Sequence, residues 1–313
     1  MPDDSRLPDK ALRELQREAF ASPTAEIPAT PTVIGPPPSV PHQRRVWLPF
    51  FLFLATCLST YLVGGWQYSA AVMTILVCHE AGHFIQSWRY GVPASFPYFL
   101  PLPLPPIGTL GAVIGMSSRI PNRRALFDIG ITGPLAGLVP TLVFSIYGLR
   151  HSLIWPTINS PALIPLGTPF VFTFLEWFAL DPIPTGYSVY LSPFARAGWV
   201  GFLITSLNLF PVGQLDGGHV LYSLFRGRAY VVARLVLMGT IVAVLALGYY
   251  WWFLMLTLVM VMGPRHPPTA ADDQPLGKGR TILGWLVLAF LPLGFTPNPF
   301  AMPPLDWSRL LPF

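Results

Sequence analysis

Charge is what this chain has little of: acidic and basic residues make up 11% of its 313 positions, against 52% hydrophobic, where soluble domains carry roughly 25% charge. An ordinary water-soluble globule is excluded, and a lipid bilayer is the expected solvent. Cysteine is scarcer still. Cys57 and Cys78 are the only two, and both fall within apolar runs, so neither a disulfide framework nor a cysteine-rich zinc module can be built. Residues 1–45 hold no apolar core of the kind a secretory leader needs, so the first crossing is expected to act as its own anchor.

The charge that is present is mostly positive, with a net of +5 and a pI near 9.4. Nucleic acid is excluded as a partner because the arginines sit at the ends of apolar runs rather than on one soluble face among stacking aromatics. That placement reads as membrane topology through the positive-inside rule. Of 19 basic residues, only Arg150, Arg196 and Arg309 fall on the expected outer side.

Apolar stretches near the length of a helical crossing recur from Val46 almost to the end of the chain, interrupted by Pro, Gly and Arg clusters. The pattern predicts an all-α polytopic membrane protein, multi-pass with a cytoplasmic N-terminus, having about six to seven transmembrane helices and a re-entrant extended segment. Three regions are expected: a flexible Pro-rich cytoplasmic tail at 1–45 with a short helix at 9–20, a membrane-embedded domain at 46–296, and a short C-terminal tail at 297–313. Spans are expected at 46–63, 66–90, 126–149, 194–215 and 281–295, with a tight pair of short helices over 229–262. Residues 91–118 are apolar but loaded with Pro and Gly, which excludes a straight helix and predicts a re-entrant segment extended over 107–114. Residues 150–193 read as a mixed outer loop with an interfacial apolar run at 163–180. Gly133, Pro134 and Gly137 mark a place where another segment can approach closely.

The chemistry is concentrated at His79, Glu80 and His83. Two His residues four apart on a helix share one face, so their imidazoles can converge on one tetrahedral ion. Glu80 points to the side of that pair, where it can act as general base without ligating. From this chain's own His and Glu frequencies the pattern arises by accident in about two chains per thousand of this length. Three ionisable groups in five membrane-buried positions are also expensive without a purpose.

A catalytic zinc needs a third protein ligand. Position 89 is Arg where the HExxHxxGxxH spacing of soluble zinc proteases has a third His, and no Glu follows Glu80 until Glu176. Glu176 and Asp181 belong to the outer loop, whereas Asp272, Asp273 and Asp306 lie in polar segments or the tail. Asp128 opens the third span, where a carboxylate suits a helix N-terminus. Asp216 sits at the end of a long apolar run, in a Pro- and Gly-rich break, and is the better candidate. His219, three positions on, is either a supporting residue of the site or an interfacial one.

The HEAGH sequence at 79–83, PIGTLGAV at 106–113, GPLAG at 133–137 and NLFPVGQLDGGH at 208–219 together resemble the site-2 protease family of intramembrane zinc metalloproteases. The likeness covers roughly residues 60–270. It is strongest to compact members, among them plant and cyanobacterial ones with a PIGTLGAVI stretch and a GPRHPP ending. The 150–193 loop has no room for an inserted PDZ-like domain, and no paired regulatory domain is expected after the last span.

The resemblance implies that His79, His83 and Asp216 bind Zn2+, that Glu80 is the catalytic base, and that Asn208 holds or polarises the scissile carbonyl. It also implies that an extended segment of Ile107, Gly108, Thr109, Leu110, Gly111, Ala112 and Val113 presents transmembrane protein substrates within the lipid bilayer. A membrane transporter or metal-ion permease is the alternative from another class, since broken helices with buried His and Asp also mark ion pathways. That alternative gives no reason for Glu80 between the two histidines.

Overall fold

The computed structural model describes residues 46–301 and 303, apart from 118, 159, 161 and 162. The expected tail at 1–45 with its helix at 9–20, and Asp306, lie outside the described residues.

The first helix, α1 (Trp47–Arg89), is interrupted at Gly65, whose φ of 78° and ψ of 178° are open to glycine. The Thr60 and Ser69 hydroxyls lie 2.8 Å apart, and Ser69 also donates to the Cys57 carbonyl, 12 residues earlier, at 3.0 Å. Twelve residues of straight helix would separate such groups by about 18 Å. Helix α1 is therefore two arms, 47–64 and 66–89, folded back on one another close to the expected break. Gly64 contributes for a different reason, since a Cβ there would overlap the Arg196 guanidinium and the Tyr68 ring.

After α1 the chain forms an antiparallel hairpin of β1 (Tyr98–Pro101) and β2 (Thr109–Val113), with Tyr98 opposite Val113 and Phe99 opposite Ala112. Its tip is clamped onto both arms of α1. The Ser59 hydroxyl donates to the Gly108 carbonyl at 2.6 Å, and the Tyr68 hydroxyl to the Ile107 carbonyl at 2.5 Å. Phe53 packs edge-on against Phe99 at 5.2 Å. The extended piece was expected from the Pro and Gly content; its partner β1 was not.

Helix α2 (Arg123–Arg150) crosses both the arm 66–89 and α4 (Pro193–Asn208) along small residues. Added Cβ atoms at Gly82, Gly198 and Gly201 would collide with Thr132, Ser145 and Thr141, so the backbones approach as closely as glycine permits. Between α2 and α4 lie β3 (Leu153–Pro156), α3 (Phe170–Ala179) and β4 (Tyr187–Tyr190), the two strands pairing antiparallel. The loop expected at 150–193 thus contains a second ribbon, and the all-α expectation is corrected: the described chain is mostly helical with two small two-stranded sheets. Strands of four residues are too short for alternation to stand out in sequence.

The fourth helix ends at Asn208 rather than running to 215, because Pro211 and the left-handed Gly213 (φ 59°) break it. Helix α5 (Asp216–Phe225) follows, then a 3-10 turn at Arg226–Arg228, α6 (Ala229–Leu247), α7 (Phe253–Met262) and α8 (Lys278–Gly294). The pair α6 and α7 occupies the stretch where two short helices were expected. Among the described residues, three helical stretches, Trp47–Arg89, Arg123–Arg150 and Asp216–Leu247, are long and apolar enough to cross a membrane. Their outer faces carry exposed Phe51, Leu62, Val139, Val143, Leu235 and Val242, a distribution that water would penalise and lipid does not. The chain is an integral membrane protein.

Asp128 does not cap α2. That role falls to Asn122, which accepts from the Ala125 amide at 2.9 Å. Asp128 lies in the second turn and holds α8 through Arg280, at 2.7 and 2.8 Å, while accepting from the Tyr90 hydroxyl at 2.5 Å. The pair is partly exposed, so its removal should cost about 1 kcal/mol. Asp128→Asn is expected to lower the thermal unfolding midpoint in detergent by roughly 2–4 °C without changing metal content. Loss of metal in this variant would contradict a purely structural role.

Candidate metal centre and active site

The arm 66–89 brings His79 and His83 to one face, one turn apart, and α2 forms the floor beneath them. Gly133 lies where a Cβ would overlap the His83 ring, and Gly137 where it would touch the His79 Cβ at 3.0 Å. Asp216 arrives from the start of α5, where the helix N-terminus favours a carboxylate. Gly217 and Gly218 let that start fold tightly against the preceding loop, since Cβ atoms there would collide with the Leu209 and Gly213 carbonyls. This close approach puts Asn208, the last residue of α4, into the same cavity as Asp216.

The distances define a compact donor set. His79 Nε2 and His83 Nε2 are 3.1 Å apart; Asp216 Oδ2 lies 3.1 Å from the first and Oδ1 3.3 Å from the second. His83 Nδ1 is 2.8 Å from the Ile129 carbonyl, which can only accept, so in the neutral ring Nε2 holds a lone pair. The His83 Nε2 lone pair thus points to the place where His79 Nε2 and the Asp216 carboxylate also converge, a donor set that suits a cation. The spacings fit one: donors about 2.0–2.1 Å from a tetrahedral ion stand about 3.3 Å from one another. Among the described residues, His79, His83 and Asp216 are the metal-competent cluster.

Glu80 is 3% exposed, lines the cavity, and accepts no hydrogen bond from any described residue. The Asn208 Nδ2 lies 3.2 Å from His79 Nε2. The cavity, about 270 Å³, is completed by Ala112 and Val113 of β2, by Gln214, and by a strap at 262–269 that includes His266.

The hairpin residues separate into two groups. Ile107 and Gly108 form the clamped tip, Thr109 is buried with its hydroxyl on the Leu100 carbonyl, and Leu110 is exposed. Gly111 has a φ of 99°. Of the seven, Ala112 and Val113 line the cavity with the metal-competent residues.

Sequence reasoning did not find the Ile129 carbonyl, the strap, or the contact between His219 and His266. For the glycine floor a signal was available: Gly133 and Gly137 repeat the four-residue spacing of His79 and His83.

The family model described as Peptidase family M50 matches residues 67–248. The probable zinc metalloprotease EGY1, chloroplastic, of Arabidopsis thaliana is 30% identical, the match covering 72% of this chain and 42% of that protein. The probable zinc metalloprotease EGY2, chloroplastic, of the same plant is 28% identical over 74% of this chain and 43% of its own length. The EGY1 protein of Oryza sativa subsp. japonica is 29% identical over 62% and 31%. The chain therefore spans less than half the length of these relatives. The site-2 protease from Methanocaldococcus jannaschii aligns over 74% of this chain and 92% of its own, at 19% identity and a TM-score of 0.36.

Proposed function

We propose, given that this chain belongs to peptidase family M50, that it is an intramembrane zinc endopeptidase cutting transmembrane segments of membrane-protein substrates. The observation that carries the reading is the convergence of His79, His83 and Asp216 beside a buried, unengaged Glu80. The transporter alternative leaves Glu80 without a task.

His79, His83 and Asp216 would hold Zn2+, which when bound supplies a Lewis acid that makes water acidic near neutral pH and polarises a carbonyl. Glu80 takes the proton of the attacking water and returns it to the leaving amine. When His79 Nε2 is engaged as a ligand, the Asn208 amide is released from it and can donate to the carbonyl oxygen as charge develops there. Peptide bonds inside a substrate helix are hidden, so the helix must unwind locally; the β2 backbone at Ala112 and Val113 then offers an edge for pairing.

The described helices are consistent with six to seven crossings: the two arms of α1, then α2, α4, α6, the short α7, and α8. The fold-back of α1 puts Arg89 on the side where the first arm begins, which supports a cytoplasmic N-terminus. His83 then lies about 9 Å below that surface.

The test uses a single-span substrate reconstituted with the protein in liposomes. Cleavage is expected within the span, to be lost on treatment with a chelator and to return with stoichiometric zinc. A metal-replete protein that leaves a panel of single-span substrates uncut would sink the reading.

A further inference from the structure

The mechanism above makes no use of His219 or His266. His219 stands one turn after Asp216 on α5, is 6% exposed, and lines the cavity. His266 belongs to the strap and is half-buried. The two rings meet edge-on, with His219 Nδ1 and His266 Nε2 2.7 Å apart.

Their hydrogen positions follow from one partner. His266 Nδ1 lies 2.6 Å from the Pro267 carbonyl, and a carbonyl only accepts, so that nitrogen carries hydrogen. In the neutral ring Nε2 then holds a lone pair, and His219 Nδ1 must donate to it. Burial holds the His266 imidazole below its ordinary value, against the opposing pull of the Pro267 carbonyl and Asp272, which favours the neutral ring. The consequence falls on His219: its Nε2 is left a bare acceptor, with no hydrogen bond from any described residue.

The strap is built to keep this arrangement. The Tyr222 ring stacks on His266 with centroids 4.6 Å apart, and its hydroxyl donates to Asp272 at 2.5 Å. The other Asp272 oxygen takes the Thr269 hydroxyl at 2.5 Å. Arg123 reaches the Gln274 carbonyl at 2.7 Å and Arg124 the Pro275 carbonyl at 2.7 Å, tying the chain just beyond the strap to α2.

An acceptor on the cavity wall with no protein donor is free to take one from an occupant of the cavity. A peptide paired along β2 points alternate N–H groups away from that strand. Those groups require acceptors wherever water is excluded. We propose that His219 Nε2 accepts one backbone N–H of the peptide in the cavity, and that His266 is the positioning residue that sets the His219 tautomer. This rests on the protease reading and adds to it a backbone-recognition residue.

The experiment uses single-span substrates in which individual peptide bonds flanking the scissile one are replaced by esters, each removing one N–H. They are cleaved by wild type, His219→Phe, His266→Ala and His266→Gln, all checked for equal zinc content. In wild type, one ester position is expected to raise KM about 3- to 10-fold with kcat kept, the signature of a lost uniform hydrogen bond. In His219→Phe, KM is already raised and that ester adds nothing. His266→Ala loses the same discrimination without touching a buried residue, and His266→Gln, whose amide oxygen can accept from His219 Nδ1, restores it. Wild type without a sensitive position, or equal ester penalties in wild type and both disrupting variants, overturns the proposal. Failure of wild type to cleave any substrate removes the protease reading, and this proposal with it; cleavage with unchanged penalties removes the proposal alone.

Discussion

Glu80→Gln is expected to lower kcat by roughly 10³- to 10⁴-fold while zinc content and KM stay near wild type. The side chain is buried, faces the cavity and bonds to no described residue, so the amide replaces the carboxylate without breaking a structural contact. Size and polarity are kept; the ability to take up a proton is not. The loss should therefore appear in turnover and not in assembly, as a protein that binds zinc and substrate but does not cut. Direct metal analysis beside single-turnover cleavage separates the two quantities. Turnover within tenfold of wild type would remove Glu80 from the mechanism, and a variant that had lost its zinc would make it a supporting residue of the centre.

Gly133→Val should reduce zinc affinity by more than about 100-fold although it removes no ligand. Outer groups that merely orient a ligand typically contribute 10- to 100-fold, and here the ligand itself must move. A Cβ at Gly133 would occupy the position of the His83 ring. The imidazole would have to leave both the Ile129 carbonyl and Asp216, and any place it then took in the cavity would lie away from the other two ligands. Gly239→Val on α6 is the matched control, because a Cβ there has nothing within 4 Å. Competition against a chelator of known affinity gives the measurement. Equal zinc retention in Gly133→Val and Gly239→Val would show that the floor under His83 is softer than its geometry implies.

The parts of this protein legible in its sequence are those with strong local chemistry. His79 and His83 are bound to share a face by helical periodicity. Asp216 stood out because a carboxylate closing a long apolar run is costly to keep at membrane depth unless it binds something. The break between the first two spans was visible because two adjacent glycines interrupt an apolar stretch longer than a bilayer needs. What escaped was long-range or short. Strands β1, β3 and β4 have four residues each, too few to show a period. The Asp128 pairing with Arg280 joins positions 152 apart, and no local signal distinguishes a carboxylate that caps a helix from one that pins another. His266 sits in the GPRHPP stretch, which carries part of the resemblance but assigns that histidine no role; its contact with His219 comes only from the fold.

The clamp at the tip of the β1–β2 hairpin bears on how cleavage sites would be chosen. Ser59 and Tyr68 fix Gly108 and Ile107 to the two arms of α1, and the second of those arms also carries His79, Glu80 and His83. On the proposed function, the edge that would meet an unwinding substrate and the groups that would attack it are thus tied to the same helix arm, which sets the offset between them. Such a device would work as a ruler. It would set the cut by distance along the paired backbone, and leave the substrate's side chains to decide how easily the helix opens, not where it is severed.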